Sequence, residues 1–496
     1  MVLEKLEPKV VWEIFEHVFS VTPRESKKEE KIRAKLKSWI PDRAKSLGID
    51  IMLFEDNVGN ILVKRPASEG MESVQSLLFQ GHMDMVCETD RPDGFDFDNN
   101  PIPVRIQDNE EWVDADGTTL GADNGIGVSI ALAVLLDPNL TTGPLELLIT
   151  VDEETGLTGA FALDTEKFTI ESRLLVNIDS GNLGTITIGS AGGGDTTFLK
   201  TLQVNDVTGN SIFYELTVSG LFGGHSGVDI DKHRANANKL VARLLAPIAD
   251  EMNVHLCKWD GGSKHNAITR EATVKFAVEK GKSSRTEEIL KDVRADILTY
   301  YKGLEPDIEI RWEQSSTESA FSLDESKRII QSIRLLHQGP ITFSPAIAGL
   351  VETSNNVAVV ETNGTEIQVL MSTRSSVDAE LAEFRKELTT IGQLTGWEVI
   401  LKPAYPGWKP DPESSFTKFI STEYEKFSDE ELEIKAIHAG LECGIIGAKY
   451  PGMKMVAIGP TALNAHTPDE KVKIDTVGAV YDILVSVVKE IPNLRL

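Results

Sequence analysis

Cysteine is scarce: Cys87, Cys257 and Cys443 are the only three in 496 residues, with no C-x-x-C pair. So sparse and odd a set argues against a disulfide framework and suits a reducing compartment. Long apolar runs are missing too, and none approaches the roughly eighteen residues that a membrane-spanning helix needs. The first stretch, "MVLEKLEPKVVWEIFEHVFS", sets acids among its apolar positions, unlike a secretory leader. Positive charge is in deficit, with 50 Lys and Arg against 77 Asp and Glu and a formal net charge of −27. Such a surface repels phosphate backbones and anionic lipid, so neither nucleic acid nor membrane is expected as a partner. Low-complexity segments are also absent. The expectation is a cytoplasmic globular protein.

What is present begins with length. A chain of 496 residues exceeds one ordinary core, so at least two domains are expected. Residues 8–48 read as helical, with Val11, Ile14, Phe15 and Val18 at helical spacing and a glycine stop after "RAKSLG". Short β-type runs follow, among them "IDIMLF", "GNILVK", "SLLFQ", "LELLITV" and "LLVNI", with a helix opening at Asp123–Asn124. Strands alternating with helices indicate an α/β domain around a central sheet. From about residue 189 the texture changes, after a glycine-rich hinge, to strands with long polar helices between them. This predicts an inserted α+β lid of ferredoxin-like type, in which two similar strand–helix units suggest a duplication. From about 401 the α/β texture returns. The predicted domains are therefore 1–188 and 401–496 as one catalytic unit, interrupted by 189–400.

The chemistry-bearing residues gather at strand ends. "LLFQGHMDMV" carries His82 and Asp84 two apart, hence on one face of an extended chain. One ring nitrogen of such a histidine can bind a metal while the carboxylate fixes the other. "DGTTLGADNGIG" places Asp123 before a helix, and "LLITVDEETG" places Glu153 and Glu154 just after a strand. "LLVNIDSG" does the same for Asp179, and "GPTALNAHTPDE" sets His466 in a loop after an apolar run. In open α/β sheets sites lie beyond the carboxyl ends of the strands. His82, Asp123, Glu154, Asp179 and His466 form a nitrogen and oxygen set suited to two zinc ions, with manganese or cobalt as substitutes. If Asp123 bridges, the ions sit on the order of 3.5–4 Å apart. Adjacent residues of an extended segment face opposite ways, so one of Glu153 and Glu154 can bind metal while the other moves protons.

The segments "GHMDMV", "DGTTLGADNGIG", "EETGLTGA", "GGHSG", "HAGLECG" and "NAHTPDE", in that order along nearly the whole chain, resemble the dinuclear zinc peptidases of the carboxypeptidase G and aminoacylase superfamily. "HAGLECG" beside "NAHTPDE" favours its dipeptidase branch, the bacterial aminoacyl-histidine dipeptidases. The resemblance implies His82, Asp123 and Asp179 around one zinc, and Asp123, Glu154 and His466 around the other. It implies Glu153 as general base and then acid, with Asp84 orienting His82. In "GLFGGHSGVDI" it assigns His225 to the oxyanion, a role with a clear electrostatic logic. Asn266, Arg374 and Gly440 become substrate contacts, Arg374 through its forked donors. His438 and Glu442 fit either that pocket or plain structural hydrogen bonding. Gly181 and Asn182 depart from the acidic residues expected after the Asp179 segment, which touches selectivity rather than metal binding.

The reading is a metallopeptidase acting on a small unblocked dipeptide, with or without a C-terminal histidine. Two rivals stand beside it. An N-acyl-amino-acid deacylase of the same superfamily would share the metals but not the pocket, and a binding protein on the same fold would not need Glu153. A homodimer is compatible with the sequence, as is His225 acting within one chain or from a neighbour. Cys87 and Cys443 read as buried fillers, and His17, His233, His255, His265 and His337 as structural.

Overall fold

A computed structural model describes residues 2–207, 209–316, 319–427 and 431–495. Its backbone contacts divide the chain into two units. The first holds Met1–Gly189, Pro410–Ala436 and Leu441–Leu496; the second holds Ser190–Lys409 and Ile437–Gly440. The second boundary thus falls at Lys409 rather than at 400, and four residues of the C-terminal part, 437–440, go to the second unit.

The first unit is an α/β domain around an eight-stranded mixed sheet. Four parallel strands lie side by side in its centre: Leu145–Thr150, Leu77–His82, Leu174–Asn177 and Lys454–Ala457. The first three are buried along their whole length, as their mainly apolar sequences suit strands covered on both faces. His82 pairs with Thr150 and Gln80 with Asn177, so the strands end together and their following loops emerge on one edge. Helix Ala122–Leu135 is buried from Asn124 to Leu135, which explains why its sequence carries no polar face. Asp123 and Asn124 have non-helical backbone angles, so the helix is regular only from Gly125. The predicted N-terminal helix is interrupted: Lys9–Ile14 and a π-turn Phe15–Phe19 precede Glu30–Leu47, which ends on left-handed Gly48 as expected. A small sheet joins Val104–Ile106, Trp112–Ala115, Lys471–Lys473 and Ala462–Leu463, and so draws the loop of His466 to this edge.

The second unit carries a nine-stranded antiparallel sheet. Strand Ser211–Ser219, helix Ala237–Glu251, strands Val254–Gly261 and Ala272–Glu279, helix Ser283–Tyr301 and strand Glu309–Ser315 form a β-α-β-β-α-β set. Its strands lie in the spatial order fourth, first, third, second, which is the ferredoxin-like arrangement. Strand Gly192–Thr201, helix Leu323–Leu335, strands Val351–Asn363 and Glu366–Ser375, helix Asp378–Leu394 and strand Glu398–Leu401 repeat that order in mirror sequence along the sheet. The two halves meet where Gly261 pairs with Val360. The predicted duplication is therefore present in the topology. One half is inserted into the other between Thr201 and Leu323, which splits the repeat along the sequence and hides it.

Candidate active site

His82 closes its strand and is almost wholly buried, with Asp84 fully so. Its Nε2 lies 3.0 Å from Asp123 Oδ1 and 3.6 Å from Asp179 Oδ1, and its Nδ1 lies 3.4 Å from Asp84 Oδ1. The other oxygen of Asp123 faces a second histidine: His466 Nε2 is 3.3 Å from Asp123 Oδ2 and 2.8 Å from Glu154 Oε2. One carboxylate thus stands between two imidazoles, with a further carboxylate at each flank. His82, Asp123 and Glu154 each offer a ligand atom within 4.8 Å of the others. All five residues singled out as metal ligands come together.

The electrostatics follow from that crowding. Burial opposes the charged form of His82, yet Asp179, Asp123 and Asp84 around it hold its pKa well above the ordinary value. His466 is pushed up to about 10 by hydrogen bonds to Asp123 and Glu154. Asp179 rises to about 7 through burial and the neighbouring Asp123. Burial raises Glu153 well above the usual carboxylate range, with Asp179, Glu442 and Glu154 adding to it against His82. A cluster that draws protons onto its imidazoles and carboxyls is one that draws cations. Glu154 Oε1 is buried with no hydrogen-bond partner among the described residues, a lone pair that a metal ion suits. The donor set fits a pair of divalent ions.

Asp84 has contacts beyond the His82 ring. Its Oδ1 accepts from the Glu153 amide at 3.1 Å, and its Oδ2 accepts from the Glu154 amide at 3.3 Å and from Ser26 Oγ at 2.8 Å. Despite burial these contacts with His82 and the amides hold its pKa down at about 2. The glutamate pair is accordingly not the extended segment expected from the sequence. Strand Leu145–Thr150 ends first, Asp152 has a positive φ of 48°, and the chain turns so that both amides converge on one carboxylate.

Two supporting residues escaped the sequence reading. Glu470, at the end of "NAHTPDE", accepts from the amides of Leu120 and Gly121 at 2.8 Å each and from Asp123 at 3.2 Å. Arg24 is fully buried and donates to the carbonyls of Met83, Asp84 and Gly121. Glu470 was part of a quoted motif, while nothing local marks Arg24. A cavity of ≈ 80 Å³ opens beside Asp123 and Asp179, lined also by Ser180, Gly181, Pro460 and Ala465.

Beneath the ligands Glu442 is buried in the first unit. Its Oε2 accepts from Gln80 Nε2 at 2.5 Å and Thr150 Oγ1 at 2.7 Å, and Gln80 in turn accepts from Asn177 at 2.6 Å. Of the two roles open for Glu442, these contacts are those of structural hydrogen bonding. The thiols are kept protonated by burial: Cys87 and Cys257 are raised to about 12, and fully buried Cys443 is also raised well above the ordinary thiol value.

The second unit holds the remaining candidates. His225 pairs with Ala267 in a two-stranded ribbon, next to Asn266, whose carbonyl accepts from the Ser226 amide at 2.8 Å. His225 Nδ1 accepts from the amides of Gly227 and Val228 at 3.2 and 3.1 Å, which leaves the proton of the neutral ring on Nε2. Burial and Arg374 lower its pKa, so the ring is a neutral donor. A Cβ at Gly227 would stand 2.1 Å from the His438 carbonyl, so only glycine lets these two loops touch. His438 Nε2 meets Ser354 Oγ at 2.7 Å, and burial followed by Arg374 lowers its pKa to about 3. Arg374 is buried in strand Glu366–Ser375, and Gly440 follows His438 in the return segment. Among the other histidines, His255 and His337 meet the carbonyls of Phe321 and Pro340, and His265 lies 3.5 Å from Asp195.

Residues 78–490 match the family model described as peptidase family M20/M25/M40. The chain is 37% identical over 493 residues to the cytosol non-specific dipeptidase of Escherichia coli (strain K12), covering 99% of each. The crystal structure of aminoacylhistidine dipeptidase from Vibrio alginolyticus superposes with a TM-score of 0.90 at 37% identity, over 99% of this chain and 98% of that one. Aminopeptidase PepT from Bacillus cereus, at 17% identity and a TM-score of 0.55 over 98% and 99%, shares the fold.

Proposed function

The chain belongs to peptidase family M20/M25/M40 and is a hydrolase, and from that premise we propose that it is a dinuclear-metal dipeptidase acting on small unblocked dipeptides. One observation carries the reading: Asp123 stands between His82 and His466, with Glu153 beside them yet outside the ligand set. His82, Asp123 and Asp179 would hold one zinc and Asp123, Glu154 and His466 the other. The ions supply Lewis acidity toward the scissile carbonyl and toward water.

The chain's own groups do the rest. Glu153, kept basic by burial and by neighbouring carboxylates, takes a proton from the attacking water and returns it to the leaving amine. Asp84 fixes the His82 ring and, through two amides, the turn that presents Glu153. The neutral His225 donates its Nε2 proton toward the developing oxyanion, and Arg374 receives the substrate carboxylate. Asn266 and Gly440 complete the substrate contacts. A cytoplasmic location accords with the name of the Escherichia coli relative and with the reduced thiols. No helix among the described residues is long and apolar enough to cross a membrane.

The test is mass-spectrometric detection of products after the zinc-loaded protein meets free dipeptides, some ending in histidine, and N-acetyl amino acids. Cleavage confined to the dipeptides is expected. Cleavage of the acetylated compounds alone would move the protein to the deacylase rival.

A further inference from the structure

Arg374 is an unusual arginine: 6% exposed, with no Asp or Glu among the described residues paired to it. Its Nη1 donates to Tyr405 Oη at 3.0 Å, and its Nε has no hydrogen-bond partner among the described residues. A buried guanidinium in this condition is costly to hold and gains most from an incoming anion.

The backbone explains how the phenol reaches it. Gly193 pairs directly with Arg374 on one side and bridges to Tyr405 on the other. The Tyr405 amide donates to the Gly193 carbonyl at 2.9 Å, and the Gly193 amide returns a bond at 3.1 Å. A Cβ at Gly193 would lie 2.6 Å from Tyr405 Oη and 2.8 Å from Cζ. The ring therefore crosses the space a side chain at 193 would fill, and its hydroxyl meets the arginine one strand further on. On the far side Arg374 pairs with Ser354, whose hydroxyl meets His438. Tyr405, Gly193, Arg374 and Ser354 form one row across three neighbouring strands and the bridged segment that carries the phenol.

We propose that Tyr405, laid across Gly193, is a positioning residue that holds the Arg374 guanidinium for the free C-terminal carboxylate of the substrate. The assignment rests on the dipeptidase reading. It makes Tyr405 and Gly193 determinants of the preference for a free acid over its amide.

The experiment compares alanyl-histidine with alanyl-histidinamide on the zinc-loaded protein. Tyr405→Phe keeps the ring and removes the hydroxyl, so KM for the acid should rise about tenfold with kcat held, and the acid-to-amide preference should fall by the same factor. Gly193→Ala displaces the ring and should give the same signature. In the double variant the loss should equal that of the larger single variant, since both remove one contact. Equal losses on acid and amide, a fall in kcat at constant KM, or an unchanged preference would each overturn the assignment while leaving the dipeptidase standing. A parent protein inert on every free dipeptide would overturn both.

Discussion

At the scale of single residues, environment decides what each carboxylate does. Asp84 and Glu153 are close neighbours in the site, yet one is held at about 2 and the other is driven upward. Asp84 receives two amides, a hydroxyl and the His82 ring, whereas Glu153 is opposed by burial and by Asp179, Glu442 and Glu154. That contrast is what the proposed division between a positioning group and a proton carrier requires. Glu153→Gln should therefore keep both metal ions by elemental analysis while kcat falls about 10²–10⁴-fold; full turnover would sink the mechanism. Glu442 offers a pH test. Burial raises its carboxyl to about 7 from the ordinary 4.5, with Asp84 adding to the rise and His82, Thr150 and Gln80 opposing it. Between those two values the folded chain keeps a proton that the unfolded chain has released. Its stabilising effect is thus complete below 4.5 and lost as pH rises through 7. Glu442→Gln carries no charge at any pH. In metal-free protein its stability relative to the parent should climb from near zero at pH 4.5 by about 3 kcal/mol at pH 8, measured by denaturant titration. A flat difference would show that the carboxyl titrates as in water.

At the scale of elements, the site is a product of strand ends and of what ties their loops together. Four parallel strands finish in register, but only the cross-links bring their loops to one point. Glu470 clamps the loop before helix Ala122–Leu135, and Arg24 spans from the Asp84 backbone to Gly121. Glu470→Ala strands three amides and should cost about 3 kcal/mol locally. Hydrogen exchange at Leu120, Gly121 and Asp123 should then quicken by about 10²-fold, with weaker metal binding as a consequence. Unchanged exchange would mean the loop is held by packing alone. Much of this scale was legible beforehand. The strand at 77, the helix after Asp123 and the glycine stop at Gly48 follow from periodicity and turn chemistry. The turn at Asp152 was not legible, because the force that bends it is a carboxylate 68 positions earlier. The π-turn at Phe15–Phe19 is likewise invisible in a pattern that still repeats at helical spacing.

At the scale of the whole molecule, all five proposed ligands belong to the first unit, and that unit should depend on bound ions. Three carboxylates and two imidazoles crowd together there with His82 and Asp179 largely buried. Zinc at a hundred times its dissociation constant should stabilise the folded chain by about 2.7 kcal/mol, and chelation should remove this. Calorimetry with and without chelator checks it: a thermal transition that ignores chelator would contradict the ligand set. The sequence alone determined the residue types, the strand-end placement of His82, Glu154, Asp179 and His466, the helix-start placement of Asp123, and the division of texture between an α/β part and an α+β insert. Those are local properties, written in periodicity and short motifs. Only tertiary structure decided that Asp84 serves the glutamate turn as well as His82, that Arg24 and Glu470 brace the site, and that Tyr405 reaches Arg374 across Gly193. It also decided that the insert is duplicated, since one half interrupts the other and pairing rather than sequence order restores the repeat. Contacts between residues hundreds of positions apart depend on sheet register, and register is fixed only when the strands pair.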